Sequence, residues 1–195
     1  MNGVRRQLVF TGFAWACAAT TAAAEGSAQL PADSVYRIPP LTLRDQSGAV
    51  FDFASLRGTP RLVGMFYTSC TMACPIEIEA LKYIGVQVST AGAKPLPVLL
   101  VSFDPANDDV AALKKDAKTH QVSAPAFRLT RPERGDVGML AGVLGIAYRR
   151  LNDGGFSHNV VVALLDAQGR IVATTDASGK ADPAFVKATV ALSAK

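Results

Sequence analysis

Apolar runs of strand length alternate along this chain with segments whose apolar positions recur at helical spacing. Arg61-Leu62-Val63-Gly64-Met65-Phe66-Tyr67 and residues 97–103 are nearly continuous in apolar side chains, the pattern of central strands buried on both faces. Between them, Pro75 suits a first helical turn, and Ile76, Ile78, Leu81 and Ile84 are predicted to face the core. Asp104-Pro105 ends the second run, and a helix is predicted over about 108–120. Residues 127–130 read as a short strand, and 137–144 as a helix closed by Gly145. Asp182 is placed to cap a last helix opening at Pro183. Asp45-Gln46-Ser47-Gly48 separates the strands 41–44 and 50–53, and Asp166-Ala167-Gln168-Gly169 separates 160–165 from 170–174; both read as hairpins. The alternation predicts an α/β fold with a central sheet flanked by helices, and the hairpin at each end predicts a mixed sheet, the first an N-terminal β-hairpin.

The first residues follow a different pattern. Arg5 and Arg6 supply a positive start, residues 8–18 are apolar apart from Thr11 and Gly12, and Ala22-Ala23-Ala24 offers small residues for cleavage. This predicts a signal peptide over 1–24, a mature chain beginning at Glu25, and export to the periplasm. The apolar stretch is short and rich in Ala and Thr for a membrane span, which needs about 20 predominantly apolar residues. Arg5-Arg6-Gln7-Leu8-Val9 loosely resembles a twin-arginine signal, and Ala14-Trp15-Ala16 before Cys17 matches a lipobox poorly. Contact with a membrane is therefore expected only through an uncleaved or lipid-modified N-terminus. Residues 25–37, small and polar, are expected to form a loose linker, and 38–195 one folded domain.

Composition narrows the function. Of 195 residues, 49% are hydrophobic and 18% charged, enough for a core and too few charges for a disordered chain. The formal net charge is +4, and two of the positive charges belong to Arg5 and Arg6. No basic block or stripe remains, so a nucleic-acid partner is not expected. Losing the leader removes Cys17 and leaves only the close pair Cys70 and Cys74, which invites a redox or metal role in an exported protein.

Cys70-Thr71-Met72-Ala73-Cys74-Pro75 lies between a buried strand and a helix, where open α/β sheets place their sites. The helix N-terminus favours a thiolate, so Cys74, and with it Cys70, is expected to titrate below an ordinary thiol. A structural disulfide here would close a ring of about five residues and contribute only ~2 kcal/mol by loop entropy, so reversible chemistry suits the pair better. Three residues separate the cysteines, leaving room for an ion between the sulfurs. With an imidazole they make a soft three-donor set suited to Cu(I), whereas a structural zinc site takes four protein ligands. The chain has two histidines. His120 ends a predicted helix after Lys114, Lys115 and Lys118 and reads as a solvated helix-end cation. His158 follows Gly154-Gly155-Phe156-Ser157 at the entrance to a buried strand, and spacing alone leaves it open between a surface residue and a ligand. Asp104 is open between an ordinary turn residue before Pro105 and a carboxylate that orients the site or holds His158. Met72 reads as an exposed loop residue.

The arrangement as a whole resembles the Sco/SenC family of copper chaperones. The likeness rests on the strand ending Phe66-Tyr67-Thr68-Ser69, on Cys70-x-x-x-Cys74-Pro75, on Val101-Ser102-Phe103-Asp104-Pro105 with Asp108 after it, and on His158 ahead of Val160-Val161-Val162-Ala163-Leu164-Leu165-Asp166-Ala167-Gln168-Gly169-Arg170. It covers nearly all of 39–190. The resemblance implies a thioredoxin-like fold and a copper ion held by Cys70, Cys74 and His158. It also implies service to the copper centre of cytochrome c oxidase. The expected partner is the copper-receiving oxidase subunit or a thiol-bearing copper protein. Thr71 stands where the family usually has Pro, Met72 where it often has an acid, and Ser157-His158-Asn159 where it usually has Asp-His-Ser. These departures bear on affinity and redox potential more than on the ligand set.

A metallochaperone is the leading expectation. The alternative is a thiol–disulfide oxidoreductase that uses Cys70 and Cys74 as its redox pair to keep a partner's copper-binding cysteines reduced. A peroxidase of the same fold class comes third, because it explains neither the cysteine spacing nor His158.

Overall fold

The structure, a computed structural model, describes residues 29–177 and 182–194; the predicted leader and Cys17 lie outside the described residues. Its sheet of seven strands is built around two parallel crossovers. Strand β3 (Arg61–Phe66) leads through α1 (Ala73–Thr90) to β4 (Val98–Ser102), and β4 leads through α2 (Val110–Thr119) to β5 (Phe127–Arg134). The N-terminal hairpin, β1 (Thr42–Asp45) and β2 (Val50–Asp52), adds antiparallel to β5. After α3 (Val137–Leu144) come β6 (Tyr148–Arg150) and β7 (Phe156–His158), then the hairpin β8 (Val162–Leu165) and β9 (Ile171–Thr175), which joins the other side of β3. Helix α4 (Pro183–Ser193) closes the chain. The order β2-β1-β5-β4-β3-β8-β9 is mixed, as the two terminal hairpins predict.

Every residue of β3, β4 and β8 is buried, so both faces of the sheet centre are covered. The caps follow the sequence: Asp182 accepts from the Ala184 N–H, and Gly145 closes α3 at φ 73°. Strand β5 runs longer than predicted. Its first half pairs with β4, but Arg131 and Pro132 pair only with β1, so proline's missing donor costs no ladder bond on that side. The end of the predicted linker, residues 34–36, is packed, not loose. Val35 and Tyr36 are buried, the Val35 N–H donates to the Gly169 carbonyl at 2.9 Å, and Ser34 Oγ donates to the Gln168 carbonyl at 2.6 Å.

Helix α1 buries Ile78, Leu81 and Ile84 as predicted and departs from the prediction at Ile76. Ile76, expected in the core, is 49% exposed. The buried stripe is Cys74, Glu77, Ile78, Leu81, Ile84 and Val88, a 3.6-residue repeat that includes an acid. The β6–β7 ribbon was not predicted: His158 ends a short strand of its own, antiparallel to Tyr148, rather than opening the strand run that begins at Val162. Asn152-Asp153-Gly154-Gly155 between the two strands is the turn signal that identifies it.

Candidate metal centre

The loop leaving β3 is pinned before it reaches Cys70. Asp108 is fully buried and accepts from the Thr68 N–H at 3.2 Å, from Thr68 Oγ1 at 2.5 Å and from Ser102 Oγ. Burial pushes the Asp108 carboxyl up, against the pull of those donors. The chain then turns, with the Cys70 N–H donating to the Tyr67 carbonyl at 3.2 Å. This carries Cys70 over the start of α1, where the Cys74 N–H donates to Cys70 Sγ at 3.2 Å. Pro75 sits in the first helical turn, where its missing donor costs no helical bond.

The two sulfurs differ in kind. The Cys74 side chain donates to Cys70, and this bond is the largest influence holding the Cys70 thiol well below its ordinary range. His158 and the backbone N–H groups of the helix start act in the same direction. The same bond, with burial second, pushes Cys74 far up. The contact between the sulfurs thus moves the two thiols apart, Cys70 down and Cys74 up. The expectation that Cys74 titrates low is therefore corrected. Being second in the helix matters less than facing the core, where Cys74 is 2% exposed.

His158 arrives from the β6–β7 ribbon. The Sγ atoms of Cys70 and Cys74 and a ring nitrogen of His158 all lie within 4.8 Å of one another. Among the described residues no other trio of His, Cys, Asp or Glu converges in this way. The Nδ1 of His158 lies 3.2 Å from the Asn159 carbonyl, which can only accept, so Nδ1 carries the proton and Nε2 is left for the site. The bond to Cys70 raises His158 above its ordinary value. An aromatic nest fixes the ring. Phe103 lies 5.0 Å and Tyr67 6.0 Å from its centroid, and Phe156 and Tyr148 each pack 5.0 Å from Phe103. Two sulfurs and one imidazole, partly shielded by aromatic rings, form a soft donor set for a soft monovalent cation.

The other expected residues fall outside this shell. Asp104 is buried, but its carboxylate faces Arg150 Nη1 at 3.5 Å and accepts from Asn107 Nδ2 at 2.8 Å, not from His158. Because Arg150 lies on β6, Asp104 ties the ribbon carrying His158 to the end of β4. Met72 is 75% exposed. His120 is away from the site, as expected, but it is not solvated. Its side chain is 12% exposed, with Nδ1 3.3 Å from Glu79 and Nε2 3.7 Å from Asp116, because helices α1 and α2 meet there. Sequence reasoning missed Glu77. It is 1% exposed, and both of its carboxylate oxygens are buried without a hydrogen-bond partner. Gly64 in β3 makes room for it, since a Cβ there would stand 2.4 Å from Glu77 Oε1. A glycine in the middle of a central strand, with an acid in the apolar stripe of the next helix, was the available signal.

Comparison with known proteins adds the relatives. The family profile described as SCO1/SenC matches residues 32–192. A candidate copper-binding protein of Stutzerimonas stutzeri is 28% identical over 120 residues, which span 58% of this chain and 58% of that relative's length. Among solved structures, Arabidopsis thaliana ScoI with copper bound has a TM-score of 0.63 at 17% identity, covering 78% of this chain and 92% of that one. A SCO1/SenC family lipoprotein from Bacillus anthracis scores 0.67 at 14% identity, covering 79% and 93%. BsSco, described as having a disulfide switch and as a member of the Sco family of cytochrome c oxidase assembly proteins, scores 0.64 at 18% identity, covering 80% and 93%. At identities this low the structural likenesses are likenesses of fold, and the fold is the thioredoxin-like one. No helix among the described residues is long and apolar enough to cross a membrane.

Proposed function

The chain belongs to the SCO1/SenC family, and from that membership we propose that it is an exported copper metallochaperone, holding copper through Cys70, Cys74 and His158 and delivering it to the copper centre of cytochrome c oxidase. The observation that carries this reading is the convergence of three soft donors from separate elements: the β3–α1 loop, the first turn of α1, and β7. The donor chemistry fits the cargo. Thiolate and imidazole favour Cu(I), and no carboxylate joins the trio to favour a hard cation. The site is half open, since Cys70 and His158 are only partly buried, and a cargo site must exchange its metal. The partner is a copper-receiving oxidase subunit or a thiol-bearing copper protein. Export rests on the leader over 1–24, with the linker and domain following, and the family includes a lipoprotein. The exported protein should have the intact mass of a chain beginning at Glu25; a full-length or lipid-modified mass would revise this. The function is tested by anaerobic Cu(I) titration followed by transfer to a copper-free acceptor domain. One copper per chain, lost in Cys70→Ser and passed to the acceptor, is the expected result. Failure to bind copper would remove the reading.

One observation favours a second reading, that of a thiol–disulfide oxidoreductase. A partly exposed Cys70, its thiol held low, beside a buried Cys74 is the pairing of an attacking and a resolving cysteine. The two activities use the same sulfurs, and His158 separates them, because disulfide exchange needs no third donor.

A further inference from the structure

The starts of the central strands, at the end of the sheet away from Cys70, enclose a hollow in which the metal site has no part. Leu62 of β3, Val98 of β4 and Phe127 of β5 meet Leu81, Ile84 and Val88 of α1 around a cavity of about 170 Å³. A cavity of ~150 Å³ lined by Leu, Ile and Phe stays dry and takes up benzene, so this one has the size and lining for an apolar group. Across Pro95, Leu96 and Ala126 it adjoins an outer hollow of about 470 Å³, walled by Pro60, Pro97 and Leu192. The space is kept open at a cost. Gly85 lines the cavity from the interior of α1, where glycine is less favourable than alanine. No close contact demands a glycine there, since a Cβ would find only Pro95 Cβ, at 3.8 Å. The lining also carries one sign of charge. Among the described residues no Asp or Glu lines either hollow, whereas Lys82 and Lys94 do. Lys82 directs its ammonium to Glu79 and to the His120 carbonyl, which leaves its methylene stem for the wall. Lys94 is exposed at the outer hollow and has no ion pair among the described residues.

We propose that this hollow binds a medium-chain monocarboxylate, with the apolar tail between α1 and the strand starts and the carboxylate at Lys94. The match is one of shape, polarity and charge. In the inner cavity the Thr189 hydroxyl is already donated to the Phe185 carbonyl at 2.8 Å, so an entering tail strips water from no unpaired group there. The outer wall is rich in proline, which has no N–H to leave unpaired when a methylene chain displaces water. Lys94 supplies a positive charge where the tail would end, and with no acid in the lining a cationic head has no partner. The site stands at the opposite end of the strands from Cys70 and His158, so it neither overlaps the metal centre nor requires it.

The test is calorimetric titration of the purified protein with hexanoate, octanoate and decanoate, each below its micelle-forming concentration, and with octanol as the uncharged control. Each buried methylene is expected to tighten binding about fourfold until the space is full. Lys94→Gln is expected to weaken octanoate about two- to fivefold and to leave octanol unchanged. Gly85→Leu fills the cavity and is expected to abolish binding of all four, with an unchanged copper stoichiometry as the sign that the fold is intact. No binding of any of the acids, or binding that Gly85→Leu leaves in place, overturns the proposal. Octanol bound as tightly as octanoate overturns the assignment of the carboxylate to Lys94. If Gly85→Leu fails to fold, methyl NMR of the wild type decides: octanoate-induced shifts clustered at Leu81, Ile84, Val88 and Leu96 support the site, and shifts only elsewhere overturn it. A wild-type protein that sediments as two chains and binds no octanoate would give this face to a second copy, which also overturns the proposal.

Discussion

Acidification should weaken copper binding in two steps, and His158 should account for the second. Before binding, Cys70 is already a thiolate, Cys74 is a thiol through the neutral range, and His158 is protonated below its raised titration point. Donors must be deprotonated to ligate, so binding expels the protons they hold. Cys70 releases none. Cys74 releases one at any working pH, which makes affinity fall about tenfold for each pH unit lost. Below the titration of His158 a second proton must leave, and the fall steepens to about a hundredfold per unit. His158→Ala should abolish the steeper limb while keeping the shallow one. It should also cost more than the ~10–100-fold typical of losing a group that merely supports a ligand, that is, more than ~3 kcal/mol. The assay is anaerobic competition for Cu(I) against a chromophoric chelator whose own pH dependence is calibrated. An affinity independent of pH would refute the assigned protonation states. A break that survives in His158→Ala would mean that another group supplies the second proton.

Other outcomes follow from single contacts. In the reduced, metal-free protein, alkylation at neutral pH should modify Cys70 rapidly and Cys74 only after unfolding, and the reverse order would overturn the assignment of the thiolate. Gly64→Ala should destabilise by about 1–3 kcal/mol through overpacking against Glu77 and Leu100, seen as a lower Tm; an unchanged Tm would show that Glu77 can move aside. Asp108→Asn presents an NH2 to groups that themselves donate, so it should cost about 1–3 kcal/mol in urea unfolding and also lower copper affinity; an unaltered affinity would sink its role in holding the loop. His120→Ala should leave copper affinity unchanged, since its partners are Glu79 and Asp116; an effect on copper as large as at His158 would mean that the wrong histidine has been assigned.

Much of this protein is decided by residues near one another in sequence. The buried strands β3 and β4 are legible because an unbroken apolar run has no polar face to give to water. The caps at Asp182 and Gly145 and the two hairpin turns depend on residues within a few positions. Cys70 and Cys74 are brought together by the turn they share, so their pairing needs no knowledge of the rest of the fold. The mixed character of the sheet follows from hairpins at both ends of the chain.

The remainder waits on tertiary contacts. The β6–β7 ribbon is made of short strands rich in polar residues, and its apolar members, Tyr148 and Phe156, have a place only once Phe103 is beside them. The reach of His158 to the sulfurs therefore could not be read from spacing and rested on resemblance alone. The apolar spacing of α1 placed Ile78, Leu81 and Ile84 inward, but that Glu77 and not its neighbour Ile76 joins them depends on the hollow at Gly64. Likewise, the sequence marks two cysteines as a pair but not which one carries the charge. That depends on which sulfur lies over the helix N–H groups and beside His158, and which is driven into the core. Periodicity and propensity are local properties of the chain, whereas charge, burial and ligand convergence are set by groups that only folding brings within a few ångströms.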